Sequence, residues 1–214
     1  MADVEQLGPY QYQHGACFPL GQASLLLGEF ATVRPGERVC DLGCGGGVLL
    51  LLLGGRAADL QLTGVELEPE AAAWARENLA RNGLSGQIVT GDLRACRTLF
   101  PAGQWDLVVS NPPWFAAGTG RSGGPRRGEE RCTLDQVCTA AGYLLRNGGR
   151  FALVHRPERL ADVLEALRSH ELEPKRLQLV QHSPVHPPST VLLEAVRQGR
   201  PGLAVAPTRM IETD

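Results

Sequence analysis

Short runs of aliphatic residues alternate along the chain with stretches whose apolar positions repeat at helical spacing. Residues 38–42 (RVCDL), 60–66 (LQLTGVE), 87–90, 105–110 (WDLVVS) and 150–154 read as buried strands, being too short and too rich in Val and Leu for helices. Helical spacing fills the gaps: 48–53, then 70–81 (EAAAWARENLAR) behind a proline suited to a first helical turn, 93–99, and 132–145. A further helix opens at Pro157, with Leu160, Val163, Leu164 and Leu167 on one face. Glycine stops support these boundaries at Gly54-Gly55, Asn82-Gly83 and Asn147-Gly148-Gly149.

Before this series, 1–18 is polar and reads as an irregular arm, 20–30 (LGQASLLLGEF) as a helix, and 34–37 as a turn. After it, 176–181 and 190–196 flank HSPVHPPS and predict an antiparallel hairpin. Strand and helix alternating five times predict a doubly wound, Rossmann-like α/β sheet, mostly parallel, with that hairpin at its C-terminal end. We divide the chain into an N-terminal arm and helix, 1–35, packed on a core domain, 36–214.

In such sheets ligands sit beyond the carboxyl ends of the strands. Four candidates fall there: 41–47 (DLGCGGG), Glu66, Asp92 and Asn111. The glycine spacing puts Gly43, Gly45 and Gly47 in the turn, with Val48 where a dinucleotide fingerprint needs its last glycine, and no P-loop lysine follows. A backbone that comes close to its ligand without phosphate-clamping groups suits a nucleoside lacking a pyrophosphate. Glu66 can take both ribose hydroxyls, and Asp92 can accept from an adenine amino group. S-adenosylmethionine fits this set. The competing reading is a structural turn with incidental acids; in either case Cys44 is packed in the turn and is not a nucleophile.

The strand at 105–110 ends in Asn111-Pro112-Pro113-Trp114. Neither proline can donate to a ladder, and Pro112 forces Asn111 into extended conformation, so a stiff corner presents an amide, bare carbonyls and a large ring. The Asn111 oxygen and the Pro112 carbonyl can accept the two N–H bonds of a planar amine. They thereby turn its lone pair toward a methyl donor and stabilise the charge that develops on nitrogen. Trp114 would stack on the target ring, worth roughly 1–3 kcal/mol. A rigid turn with a core tryptophan is the alternative.

Composition limits the setting. With 214 residues, 43% hydrophobic and 21% charged, the chain can bury a full core. No apolar run is long enough to span a bilayer, and no basic-then-apolar leader opens the sequence. Cysteines at 17, 40, 44, 96, 132 and 138 form no C-x-x-C pair, which suits a reducing cytoplasm and argues against a metal centre. A net charge of -2 supplies no global pull on nucleic acid. The Gly- and Arg-rich segment 116–128 has no periodicity; Arg121, Arg126, Arg127 and the nearby Arg131 are candidate phosphate contacts, or simply a solvated loop. His14, His155, His182 and His186 read as surface or loop residues, and Trp74 as core packing.

DLGCGGG (41–47), GVELEP (64–69), GDL (91–93) and NPPW (111–114), in that order, resemble the successive motifs of class I S-adenosylmethionine-dependent methyltransferases. The NPP-aromatic motif is similar to those of enzymes acting on adenine N6, guanine N2 or glutamine N5. With FPLGQASLLLGEF (18–30), GGRFALVHRPERLADVLEALR (148–168), LEPKRLQLV (172–180) and PPSTVLLEAVRQGRPGL (187–203), the chain most resembles the bacterial tRNA1(Val) adenine-N6 methyltransferase family. The resemblance implies cofactor contacts from Asp41, Gly43, Cys44, Gly45, Gly47, Glu66, Leu67, Asp92, Leu93 and Asn111. It implies a catalytic corner of Asn111, Pro112, Pro113 and Trp114, and a tRNA substrate. Methylation of a protein glutamine, of guanine N2 in RNA, or a non-catalytic cofactor-binding module remain open at this point. The sequence leaves the oligomeric state undetermined.

Overall fold

The computed structural model describes residues 4–14, 19–112 and 132–211. Its centre is a nine-stranded sheet. Strands β3 (Arg38–Leu42), β4 (Gln61–Glu66), β5 (Gly86–Thr90), β6 (Trp105–Ser110) and β7 (Leu145–His155) are parallel. The chain runs outward from β3 to β4 and β5, then returns so that β6 and β7 lie on the other side of β3. The switch point is therefore the gap between the carboxyl ends of β3 and β6, the place where open α/β sheets hold ligands. Strands β8 (Leu172–Gln181) and β9 (Thr190–Arg197) form the expected antiparallel hairpin, with β9 inserted beside β7.

The period-two pattern of the strands divides the core into two layers. Val39, Leu107, Val109, Ala152 and Val154 face one side, and pack with residues of α1 (Gln22–Phe30), α2 (Val48–Gly54) and α3 (Pro69–Arg81). Cys40, Leu42, Val108, Phe151 and Leu153 face the other, against α5 (Leu134–Leu144) and α6 (Leu160–Ser169). The short α4 (Cys96–Leu99) follows a 3-10 turn at Leu93–Ala95. A capping box, Thr133 with Gln136, starts α5.

Several expectations are corrected. The arm is not irregular: β1 (Val4–Leu7) and β2 (Tyr10–Gln13) form an antiparallel hairpin. It is held by two amides, Asn78 in α3 and Asn82 at its C-cap. Asn82 receives the Gln11 N–H and donates to its carbonyl, and Asn78 does the same for Gln13, so two side chains spaced one helical turn apart act as a substitute strand. The helix predicted over 132–145 ends at Leu144, and 145–149 run into β7. Leu145 pairs with Trp105, and the ladder is irregular until Leu107 meets Arg150. Strand β8 starts at Leu172, earlier than expected, because the ladder shifts register between Pro174 and Arg176 and so accommodates the proline. Short strands β10 (Ala204–Val205) and β11 (Arg209–Met210) lie parallel to β8, where no strand was expected.

His14 and His155 are buried, not superficial. His14 pairs with Glu5 at 3.1 Å, and His155 Nδ1 accepts from the Arg156 backbone N–H. Trp74 is only partly buried.

Candidate active site

The glycine turn after β3 is fixed by the backbone. Gly43 and Cys44 N–H groups both donate to the Val65 carbonyl, at 2.9 and 3.0 Å, and Gly47 donates to Cys44 at 2.8 Å. Gly43, Gly45 and Gly47 have φ of 75°, 52° and 85°, left-handed values that L side chains avoid. The turn has a closed side and an open one. A Cβ on Gly46 would meet the Tyr12 hydroxyl at 2.6 Å, whereas one on Gly43 or Gly45 would meet nothing within 4 Å. The Cys44 thiol fills the space left by Gly64, and burial, with Asp41 and Glu66 adding, pushes its pKa well up. It is packing, as expected, and not a nucleophile.

The acids surround this turn. Glu66 accepts from Gly45 N–H at 2.8 Å through Oε2 and from Glu68 N–H at 2.9 Å through Oε1, so the end of β4 is tied to the glycine turn. Each oxygen keeps a further lone pair for a hydroxyl. Asp41 is 1% exposed, and neither of its oxygens has a hydrogen-bond partner among the described residues. Burial, and secondarily the charge of Glu66, hold its carboxyl well above the ordinary range. Asp92 caps the next turn by accepting Arg94 N–H at 2.9 Å; the Arg94 guanidinium bonded to it keeps its pKa below the usual value. Leu67 is exposed and Leu93 half-buried beside these acids in sequence.

The amine corner adjoins the same crevice. Val109 pairs with Asp41 across the β3–β6 ladder, and Ser110 Oγ donates to the Leu42 carbonyl at 2.8 Å. Asn111 follows at once, half-buried, and Pro112 is buried. Asn111 Nδ2 donates to Ser24 Oγ, 3.0 Å away in the first turn of α1. Pro113, Trp114, Arg121, Arg126, Arg127 and Arg131 lie outside the described residues.

Two contributors escaped the sequence reading. Asn78, fully buried, donates to the Gly46 carbonyl at 2.9 Å as well as holding β2. Ser24 holds Asn111. Each left a faint signal: an amide in a helix of alanines, and a hydroxyl among leucines, where such groups are costly unless bonded.

An open backbone cradle at Gly43 and Gly45, an acid at the end of β4, and a buried carboxyl group with no partner among the described residues, open to an ammonium or N–H donor, all fit S-adenosylmethionine. Among the described residues no group of three or more His, Cys, Asp or Glu could hold a metal ion, and no helix is long and apolar enough to cross a membrane.

The chain is an S-adenosylmethionine-dependent methyltransferase, a class that fold and site fit and that comparison with known proteins shows. The sequence profile of the methyltransferase small domain family matches residues 20–171, and the chain belongs to that family. A tRNA1(Val) (adenine(37)-N6)-methyltransferase of Porphyromonas gingivalis is 32% identical over 193 residues, covering 85% of this chain and 76% of the relative. An enzyme of the same name from Aeromonas hydrophila is 35% identical over 159 residues, covering 72% and 66%. Among solved structures, a predicted O-methyltransferase of Agrobacterium tumefaciens superposes with a TM-score of 0.73 at 19% identity, over 88% of this chain and 87% of its own. The Thermus thermophilus 16S rRNA N2 G1207 methyltransferase, solved with AdoMet and guanosine, gives 0.65 at 22% identity, over 92% and 50%. These two likenesses show the shared fold.

Proposed function

We propose that the protein methylates the exocyclic N6 amino group of an adenine in tRNA, in the anticodon loop, and works in the cytoplasm. The observation that carries this reading is the position of Asn111, at the carboxyl end of β6 beside Asp41 and the glycine turn of β3. The relatives' shared name supports the choice of tRNA and of adenine N6.

Glu66 would hold the cofactor's ribose, Gly43 and Gly45 would pass close along its open side, and Asp41 and Asp92 would receive N–H donors. S-adenosylmethionine, held there, would supply an electrophilic methyl on a sulfonium, and the amine nitrogen would take it through its lone pair and give up one proton to water. The chain's own work is at the amine. Asn111 Oδ1 and the Pro112 carbonyl take the two N–H bonds, which localises the lone pair and stabilises the positive nitrogen of the transition state. No strong general base is needed, because the proton becomes acidic only as the bond forms. Trp114 and the arginines of 121–131 are assigned to stacking and phosphate contact in this reading. A loop adenine, already partly unstacked, costs less to extrude than a paired one.

The test uses methyl-labelled cofactor with purified tRNA and, separately, a peptide release factor, followed by nucleoside mass spectrometry. N6-methyladenosine in tRNA is the expected product; label on protein glutamine alone would overturn the assignment. Asn111→Ala should abolish turnover while cofactor affinity, read by calorimetry, stays within about twofold, since only an interaction made in the transition state is lost.

A further inference from the structure

An asparagine amide has two faces of nearly equal shape and opposite chemistry, an accepting oxygen and a donating N–H2. At Asn111 only one orientation serves an amine substrate. With the oxygen turned toward the amine the pair is donor to acceptor; turned the other way, N–H2 meets N–H2. Serving the amine therefore needs a partner that holds the side chain in place from its opposite face.

That partner is Ser24. We infer that Ser24 is a positioning residue, whose hydroxyl accepts the Asn111 N–H2 and so keeps Oδ1 facing the substrate amine. The inference rests on the methyl-transfer reading above. Ser24 Oγ lies 3.0 Å from Asn111 Nδ2, from a residue 87 positions earlier in the chain. It is 7% exposed, so water competes poorly for its hydroxyl. Its own N–H is bonded to the Gly21 carbonyl at 3.0 Å, which fixes the first turn of α1. The far end of that helix is held too: Arg56 donates to the Gly28 and Ala31 carbonyls, and Arg176 to that of Phe30. The hydroxyl is thus presented by a clamped helix, not by a flexible loop. Leu26 and Leu27 alongside it are buried in the core, where a hydroxyl without a bond would be a net cost.

Substitutions at Ser24 test this. Ser24→Ala should lower kcat roughly tenfold, about the loss of one hydrogen bond that orients a reacting partner, with KM for tRNA and cofactor affinity unchanged. Ser24→Thr, which keeps the hydroxyl, should restore the kcat lost in the alanine variant. Wild-type kcat in Ser24→Ala would overturn the inference. A second readout needs no substrate: the side-chain amide resonances of Asn111, assigned by their absence in Asn111→Asp, should shift or broaden in Ser24→Ala. Unmoved resonances would sink the role of Ser24 whatever the substrate proves to be, whereas an inactive wild type with a shifted amide would count against the methylation reading alone.

Discussion

Asp41 sits at the switch point with its charge held in check by its surroundings. Its carboxyl is raised by burial first and by Glu66 second, and its oxygens have no partner among the described residues. A folded-state pKa above the unfolded one means that the native protein keeps a proton the unfolded chain has lost. The contribution to stability is therefore complete below the ordinary carboxylate range and is lost as pH rises toward the raised value. Asp41→Asn should melt a few degrees higher than wild type at pH 8 without cofactor, and show no advantage at pH 4, by scanning calorimetry. Glu66 behaves differently, because its bonds to Gly45 and Glu68 leave lone pairs for the ribose. Glu66→Ala should weaken S-adenosylmethionine binding roughly 10- to 100-fold by titration calorimetry, the effect of one or two charge-assisted bonds. Unchanged affinity would remove the ribose assignment. Both acids were legible in the sequence, since each ends an apolar run next to a turn. Their coupling was not, because Gly45 and Glu66 meet only when β3 and β4 pair.

Among the elements, the amino-terminal hairpin is the one the sequence concealed. VEQL and YQYQ contain too few apolar residues to read as strands, and only Leu7 and Tyr12 of them are buried. Their edge is completed from α3, by Asn78 and Asn82, a pairing no local pattern announces. Asn78 also reaches the Gly46 carbonyl, so one amide joins hairpin, helix and glycine turn. Asn78→Ala strands those backbone groups in a dry interior. It should cost roughly 2–4 kcal/mol in urea unfolding, more than an exposed helix position would, and should weaken cofactor binding as the turn loosens. The misread start of β7 has a similar origin: Asn147-Gly148-Gly149 has the chemistry of a helix stop, yet the parallel ladder to β6 draws 145–149 into the sheet. Where local preference and long-range pairing agreed, as in β3, β4 and β6, the predicted boundaries match within a residue.

At the scale of the molecule, the doubly wound order was readable from the alternation of elements, and the β8–β9 hairpin from its turn. The polar scaffold beneath the sheet was not. Arg150, at the end of the sheet opposite the ligand crevice, bonds Glu37 at 2.5 Å and the Thr32 carbonyl at 3.2 Å, with both charged side chains nearly buried. This joins β7 to the turn that leads into β3. Glu37→Ala leaves a guanidinium unpaired and should destabilise by about 3–5 kcal/mol, while replacing both partners with methionine should cost much less. Chemical denaturation of the two variants distinguishes a pair that matters as a unit from two independent contributions.

The placing of β9 has a consequence for how the chain is made. Strand β7 bonds β6 on one edge and β9 on the other, and β9 arrives only after α6 and β8. During synthesis from the amino end, a growing polypeptide on the ribosome completes β7 while its second edge, carrying Phe151, Leu153 and Val154, has nothing to bond. Until β9 arrives that nascent edge is open to pairing with another strand, and the segment still inside the exit tunnel is the one that shields it.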